Sequence, residues 1–138
     1  MNLCPFLKNS ITTLDKHIMK TILIIEDNTD IRENLEEILE LDNYLVVSAP
    51  NGKIGIEKAL VGNPDLIVCD IAMPIKNGYE VFAAIQLPPL THKIPFIFLT
   101  ASAQEREIAM GKISGADAYM TKPFQGDELL STIKNILT

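Results

Sequence analysis

Residues 21–26 read TILIIE, and a helical pattern follows them. These two segments carry the clearest information about the fold. A short, continuous apolar run is typical of a strand that is buried on both faces, as in a parallel sheet. Residues 30–41 then carry apolar side chains at helical spacing, with glutamates on the opposite side. The apolar positions are Ile31, Leu35, Ile38 and Leu39. The pattern predicts a buried strand followed by an amphipathic helix.

The same alternation continues along the chain. Further strands are predicted at 44–48, 66–69, 96–99 and 118–120, and helices at 53–61, from 78 to about 87, at 103–114 and at 127–137. Turn signals rich in Asn, Gly and Pro separate these segments. Five strands alternating with five helices predict an α/β fold, a doubly wound parallel sheet with helices on both faces.

Composition limits the classes of function. The 138 residues include 12 basic and 18 acidic side chains, which gives a formal charge of −6. Because nucleic-acid-binding domains normally have a basic excess, we expect no direct binding of DNA or RNA. No apolar run approaches the roughly 20 residues that span a bilayer, so we expect no membrane insertion. Cys4 and Cys69 form no disulfide framework, which favours a reducing, cytoplasmic location, and Cys69 is expected to be a buried strand residue.

Residues 1–18 differ from the rest of the chain. They show no sustained hydrophobic period, and the apolar patch at 3–7 is too short for a secretory signal. Because Met19 stands directly before the first strand, we expect translation to begin there, with residues 1–18 a start-site artefact or a disordered leader. A docking or lipid-associated tail is the alternative. A single domain is expected at 19–138.

Polar side chains stand at the carboxyl ends of four of the five predicted strands. These residues are Glu26, Asp27, Asp70, Thr100 and Lys122. Carboxyl ends of parallel strands meet at one edge of a doubly wound sheet, where ligands bind. A lone Asp there is usually a helix cap, and Asp27, Asn28 or Asp30 would each serve for the first helix. Three converging carboxylates are harder to explain by capping, since like charges repel by about 4 kcal/mol per pair at 4 Å.

Such a cluster predicts a bound cation. Oxygen ligands without Cys or His favour Mg²⁺ over zinc. Lys122 adds a fixed positive charge and Thr100 a hydroxyl, which together suit a phosphoryl group. Asp70, on the central strand, is the best candidate for a nucleophile that forms an aspartyl phosphate. His17 and His92 fall outside this set, so a histidine-based mechanism is not supported.

The ordered set of motifs closely resembles the receiver domain of two-component response regulators. The matching pieces are Glu26-Asp27, the run DIAMPIKNG from Asp70 to Gly78, Leu99-Thr100-Ala101, and Tyr119-Met-Thr-Lys122-Pro123. Each piece is weak alone, but the spacings of 43, 30 and 22 residues between Asp27, Asp70, Thr100 and Lys122 are specific. The resemblance covers about residues 19–138 and implies a flavodoxin-like (βα)5 sandwich with strand order 2-1-3-4-5.

The resemblance also implies a role for each site residue. Asp70 is implied to be the phosphoacceptor, which receives its phosphate from a sensor histidine kinase or a histidine phosphotransfer protein. Asp27, Asp70 and the backbone carbonyl of Ala72 are implied to bind Mg²⁺, with Glu26 acting mostly through water. Lys122 is implied to pair with the phosphoryl oxygens, and the Lys122-Pro123 bond is implied to be cis.

A conformational switch is implied in the same way. Thr100 is expected to move toward the phosphate and Tyr119 to rotate inward behind it, which biases an inactive–active equilibrium. The fourth helix, fifth strand and fifth helix are implied to bind a downstream protein, as a monomer or a phosphorylation-dependent dimer. Ala72 and Ser102 stand where the family controls the access of water to the phosphoryl group. The protein is not expected to be an enzyme beyond its own phosphorylation and dephosphorylation.

Other classes fit less well. A phosphorylation-independent interaction module is disfavoured because the acid, hydroxyl and lysine set is complete. An aspartate-nucleophile phosphatase needs a second acid two residues beyond the nucleophile, where Ala72 stands. A nucleotide site needs a Gly-rich cradle, and residues 27–30 read DNTD. The sequence leaves open whether the chain is a stand-alone receiver or a piece of a longer protein.

Overall fold

A computed structural model describes residues 19–87, 93–113 and 115–138. In these residues strands and helices alternate as the sequence predicts, with ends that differ by no more than two residues. The elements are β1 (Thr21–Ile25), α1 (Thr29–Leu41), β2 (Leu45–Ala49), α2 (Gly52–Gly62), β3 (Leu66–Asp70), α3 (Gly78–Ile85), β4 (Phe96–Thr100), α4 (Ala103–Lys112), β5 (Ala118–Thr121) and α5 (Gly126–Leu137).

The strands form one parallel sheet in the order β2-β1-β3-β4-β5. This order confirms the predicted doubly wound, flavodoxin-like α/β fold. The chain reverses direction of travel across the sheet between β2 and β3, so the crossover helices cover both faces. The central strand β3 therefore ends in a crevice between its neighbours, which places Asp70 at the switch point of the sheet.

A separate apolar core lies on each face of the sheet. Leu23 and Ile25 of β1 belong to one core, and the alternate residues Ile22 and Ile24 belong to the other. This alternation explains the continuous apolar run, because a strand covered on both faces buries every side chain. Cys69 lies fully buried in the first core, as predicted.

Local capping places the helices that border the site. Asn28 caps α1, its side chain accepting a hydrogen bond from Ile31 N at 2.9 Å. Of the three predicted candidates for this cap, Asn28 is the one used, which leaves the Asp27 carboxylate free of that role. Asn77 caps α3 in a reciprocal capping box with Glu80.

One helix boundary that differs from the prediction is the end of α4. The helix predicted at 103–114 ends earlier, at Lys112, because Ile113 has extended backbone angles. Among the described helices, none is long and apolar enough to cross a membrane. Residues 1–18 and His92, on which the leader and loop predictions fall, lie outside the described residues.

Candidate functional site

Three carboxylates meet at the carboxyl edge of the sheet. One oxygen from each of Glu26, Asp27 and Asp70 lies within 4.8 Å of the other two. The register causes this convergence, because β1 and β3 are neighbours in which Ile25 pairs with Cys69. Glu26 and Asp70 are the residues that follow this pair, and both are buried. Asp27 is exposed, so the cluster opens to solvent on its side.

Lys122 links two of these carboxylates. Its Nζ lies 3.3 Å from Asp70 Oδ1 and 3.4 Å from Glu26 Oε1. The backbone N–H of Lys122 donates to Thr100 O at 2.8 Å, which anchors the residue directly beyond β5. The side chain, 20% exposed, must then reach past the end of β4 to the central strand. One ammonium group therefore serves both buried acids.

The electrostatics of the site leave an excess of negative charge. Burial, and next the charge of Asp70, raise the pKa of Glu26 to about 7. Burial also raises the pKa of Asp70, against the opposing effect of the Lys122 ammonium. Burial lowers the pKa of Lys122, but Asp70 and Glu26 outweigh it, and the net shift is upward. Lys122 therefore stays charged, and the acids around it remain short of compensating cations.

The cluster suits Mg²⁺ by its chemistry. Within the described residues it consists of carboxylates alone, and hard oxygen ligands are those that Mg²⁺ prefers. Cys69 precedes Asp70, but its Sγ is buried and donates to the Asp70 backbone oxygen at 3.2 Å. Burial raises the pKa of this thiol well above its ordinary value, which favours the protonated form, and Cys69 is outside the carboxylate cluster.

Arg32 belongs to the site and was not singled out in the sequence. Its Nη1 donates to the backbone oxygen of Glu26 at 2.9 Å, while the Glu26 carboxylate accepts from Asn28 N at 3.1 Å. These two bonds hold the turn between β1 and α1. A basic residue one turn into the first helix was the available signal, but sequence spacing does not show which backbone oxygen it meets.

The two predicted switch residues, Thr100 and Tyr119, lie on the neighbouring strands β4 and β5 and make different contacts. Thr100 is fully buried at the end of β4, and its hydroxyl donates to Met120 O and lies 3.3 Å from Thr121 Oγ1. The Tyr119 ring stacks on Phe98, and its hydroxyl donates to Ile113 O at 3.1 Å. Thr100 thus stands at the carboxyl end of β4 with its hydroxyl bonded to β5.

The structure also shows the surroundings of Ala72, Ser102 and the Lys122-Pro123 bond. Ala72 is exposed, two residues beyond Asp70. Ser102 is also exposed, and its hydroxyl caps α4 by accepting from Glu105 N at 3.0 Å. The Lys122-Pro123 bond is cis. Gly78 lies so close to β3 that an added Cβ would stand 2.6 Å from the Asp70 backbone oxygen. The start of α3 therefore packs directly against the backbone of Asp70.

Comparison with known proteins agrees with this geometry. The family model of the response regulator receiver domain matches residues 22–134. This chain belongs to that family. The receiver domain is 38% identical over 120 residues to the response regulator SaeR of Staphylococcus aureus, an alignment that covers 87% of this chain and 51% of SaeR. It spans about half the length of the curated relatives it matches.

Solved structures show the same fold in related receivers. The response regulator TrrA of Thermotoga maritima, solved in complex with Mg²⁺ and BeF, is 36% identical with a TM-score of 0.75, covering 86% of this chain and all of TrrA (100%). The receiver domain of a sensor histidine kinase from Pseudomonas aeruginosa PAO1, with magnesium coordinated in its active-site cleft, is 26% identical with a TM-score of 0.79, covering 86% and 98% of the two chains. This receiver domain therefore belongs to two-component signalling.

Proposed function

We propose that this receiver domain accepts a phosphoryl group on Asp70 and thereby switches the binding of a downstream protein. The donor is a sensor histidine kinase or a histidine phosphotransfer protein. The position of the Asp70 carboxylate carries this proposal, since it joins the acidic cluster and lies 3.3 Å from the Lys122 ammonium. A nucleophile, a candidate cation site and a fixed positive charge then lie together at one edge of the sheet.

The transfer itself asks little covalent chemistry of the protein. An Asp70 carboxylate oxygen attacks the phosphorus of the phosphohistidine, and a P–O bond forms as the P–N bond breaks. The imidazole leaves with the electron pair of that bond. Burial raises the pKa of Asp70, and the Lys122 ammonium opposes that rise, which favours the ionised form of the attacking oxygen. Its ammonium then pairs with the phosphoryl oxygens, and the Thr100 hydroxyl donates to them after it leaves β5.

Asp27, Asp70 and the backbone carbonyl of Ala72 would hold Mg²⁺. Glu26 would act mostly through water, because its two carboxylate oxygens already bond to Lys122 Nζ and to Asn28 N. Bound there, Mg²⁺ would neutralise charge on the transferring phosphoryl group. The exposure of Asp27 supports this assignment, since a metal that keeps several waters needs an open side.

The output surface would be α4, β5 and α5. The hydrogen bond from Tyr119 on β5 to Ile113 O ties this strand to the end of α4, so a rotation of Tyr119 would disturb both elements. Ile108 and Met110 are exposed on α4 and would contribute apolar contact area.

We also propose that residues 19–138 form a single domain, that the protein is cytoplasmic, and that it is a monomer or a phosphorylation-dependent dimer. Catalysis is limited to the domain's own phosphorylation and dephosphorylation.

Beryllofluoride with Mg²⁺ tests the proposal, because it mimics a phosphoryl group on a carboxylate. We expect the wild-type chain to bind it in calorimetric titrations, with shifts of the Asp70 and Thr100 resonances in nuclear magnetic resonance spectra. Asp70→Asn, which keeps the side-chain volume, should show neither. Identical titrations and spectra for the two proteins would reject Asp70 as the acceptor.

A further inference from the structure

Thr121 lies beside Thr100 and has no part in the phosphoryl transfer proposed above. It is the last residue of β5 and pairs in register with Thr100, the last residue of β4. The Oγ1 atoms of the two residues lie 3.3 Å apart, within hydrogen-bond distance. The Thr100 hydroxyl also bonds to Met120 O, so β5 supplies both of its described partners.

The placement of these partners opposes the proposed movement of Thr100. In the sheet, β4 lies between β5 and the strand that carries Asp70. The hydroxyl is therefore bonded on the side of β4 away from β3. Thr100 is fully buried, so the hydroxyl must keep a partner at each stage of any rotation. To reach a phosphoryl group on Asp70 it must exchange its β5 bonds for that new contact.

We infer that Thr121 is a positioning residue that holds the Thr100 hydroxyl on β5 until Asp70 is phosphorylated. This inference rests on the proposed function, in which Thr100 contacts the phosphoryl group. The bond to Thr121 exists only in the unphosphorylated arrangement, and the phosphoryl contact exists only in the other. A contact made in one state alone shifts the equilibrium toward that state. The Thr121 hydroxyl therefore sets how readily the phosphoryl state is reached.

Titration with Mg²⁺ and beryllofluoride tests this role on the chain alone. Thr121→Val keeps the branched shape and removes the hydroxyl, and we expect it to bind about fivefold more tightly than wild type, the value of one ordinary hydrogen bond. Thr121→Ser keeps the hydroxyl and should bind like wild type. Thr121→Ala is a second hydroxyl-free variant in case the valine variant does not fold, as judged by circular dichroism.

A double-mutant cycle separates positioning from a general structural effect. In a Thr100→Val background there is no hydroxyl to hold, so Thr121→Val should no longer change the affinity. Equal affinity of wild type and Thr121→Val overturns the inference, as does an unchanged effect in the Thr100→Val background. A failure of wild type to bind the probe overturns the proposed phosphoacceptor function, and with it this role. Binding by wild type without any Thr121 effect overturns the Thr121 role alone.

Discussion

Lys122 Nζ lies 3.3 Å from Asp70 Oδ1, although 52 residues separate the two in the chain. The same ammonium lies 3.4 Å from Glu26 Oε1. Because one ammonium faces two buried acids, a change in any of these three groups alters the charge balance of the site. This relationship determines how the site should respond to substitution, to magnesium and to pH.

Substitution of Lys122 should separate phosphoryl binding from metal binding. In Lys122→Ala the phosphoryl oxygens lose a charge-assisted partner, so the affinity for beryllofluoride should fall by about tenfold or more. Mg²⁺ alone should bind more tightly, since the competing ammonium is gone. Calorimetric titration measures both. Lys134→Ala, an exposed lysine on α5, is the matched control and should change neither affinity. A parallel loss of both affinities, or global unfolding, would indicate a structural lysine.

Asp27→Asn should weaken Mg²⁺ binding while it stabilises the metal-free fold. Removing one carboxylate deletes a ligand. It also relieves the repulsion by Asp27 that adds, after the larger effect of burial, to the rise in the Asp70 pKa. We expect a higher melting temperature than wild type in EDTA and a smaller increase on adding Mg²⁺. Asp30→Asn tests the specificity of this effect, because Asp30 is an exposed neighbour outside the cluster. A lower melting temperature in EDTA would contradict the repulsion argument.

The stability of the metal-free fold should fall as the pH rises from about 4.5 to about 7 because of Glu26. Its pKa is about 7 in the fold against an ordinary value of 4.5, so the folded state holds more protons in this window. Stability decreases with pH wherever the folded state binds more protons than the unfolded state. Denaturant unfolding in EDTA at several pH values measures the slope.

Glu26→Gln provides the comparison for that slope. The amide cannot ionise, so the difference in unfolding free energy between wild type and this variant should shift in favour of the variant as the pH rises. Burial raises the pKa of Asp70 in the same direction, and because the Asp70 charge also acts on Glu26, the difference between the two proteins includes this interaction. Parallel pH profiles for wild type and variant would show that Glu26 has its ordinary pKa in the folded state.

Gly78→Ala should destabilise the fold and disturb Asp70. The added Cβ would lie 2.6 Å from the Asp70 backbone oxygen and 2.8 Å from Ile71 Cα, and backbone atoms cannot move aside cheaply. Overpacking of this kind costs about 1–3 kcal/mol. Gly111→Ala on α4 is the control, because among the described residues nothing lies within 4 Å of its added Cβ. That helical substitution should stabilise by about 0.5–1 kcal/mol. Equal unfolding free energies for the two variants would contradict the close packing of α3 on β3.

The order of the elements, the parallel sheet and the strand ends where polar groups gather can all be predicted from the amino-acid sequence. These features depend on short continuous apolar runs, on the 3.6-residue period of the helices and on turn residues, which are local properties of the chain. The set of Asp27, Asp70, Thr100 and Lys122 was equally visible, because each follows a strand and parallel strands share one carboxyl edge. The helix predicted at 103–114 ends at Lys112, two residues earlier, because Gly115 marks the turn after the helix without specifying its last residue.

The distances and contacts between these groups depend on the folded packing. Strand register brings Glu26 level with Asp70, and burial then raises the Glu26 pKa, which no local pattern encodes. The sharing of Lys122 between two acids depends on the reach of one side chain across β4. Likewise, the Thr100 hydroxyl bonds to β5 because residues far apart in sequence pair in register. Distance, burial and rotamer are properties of the folded packing, and they convert an ordered list of polar residues into a site with a defined charge.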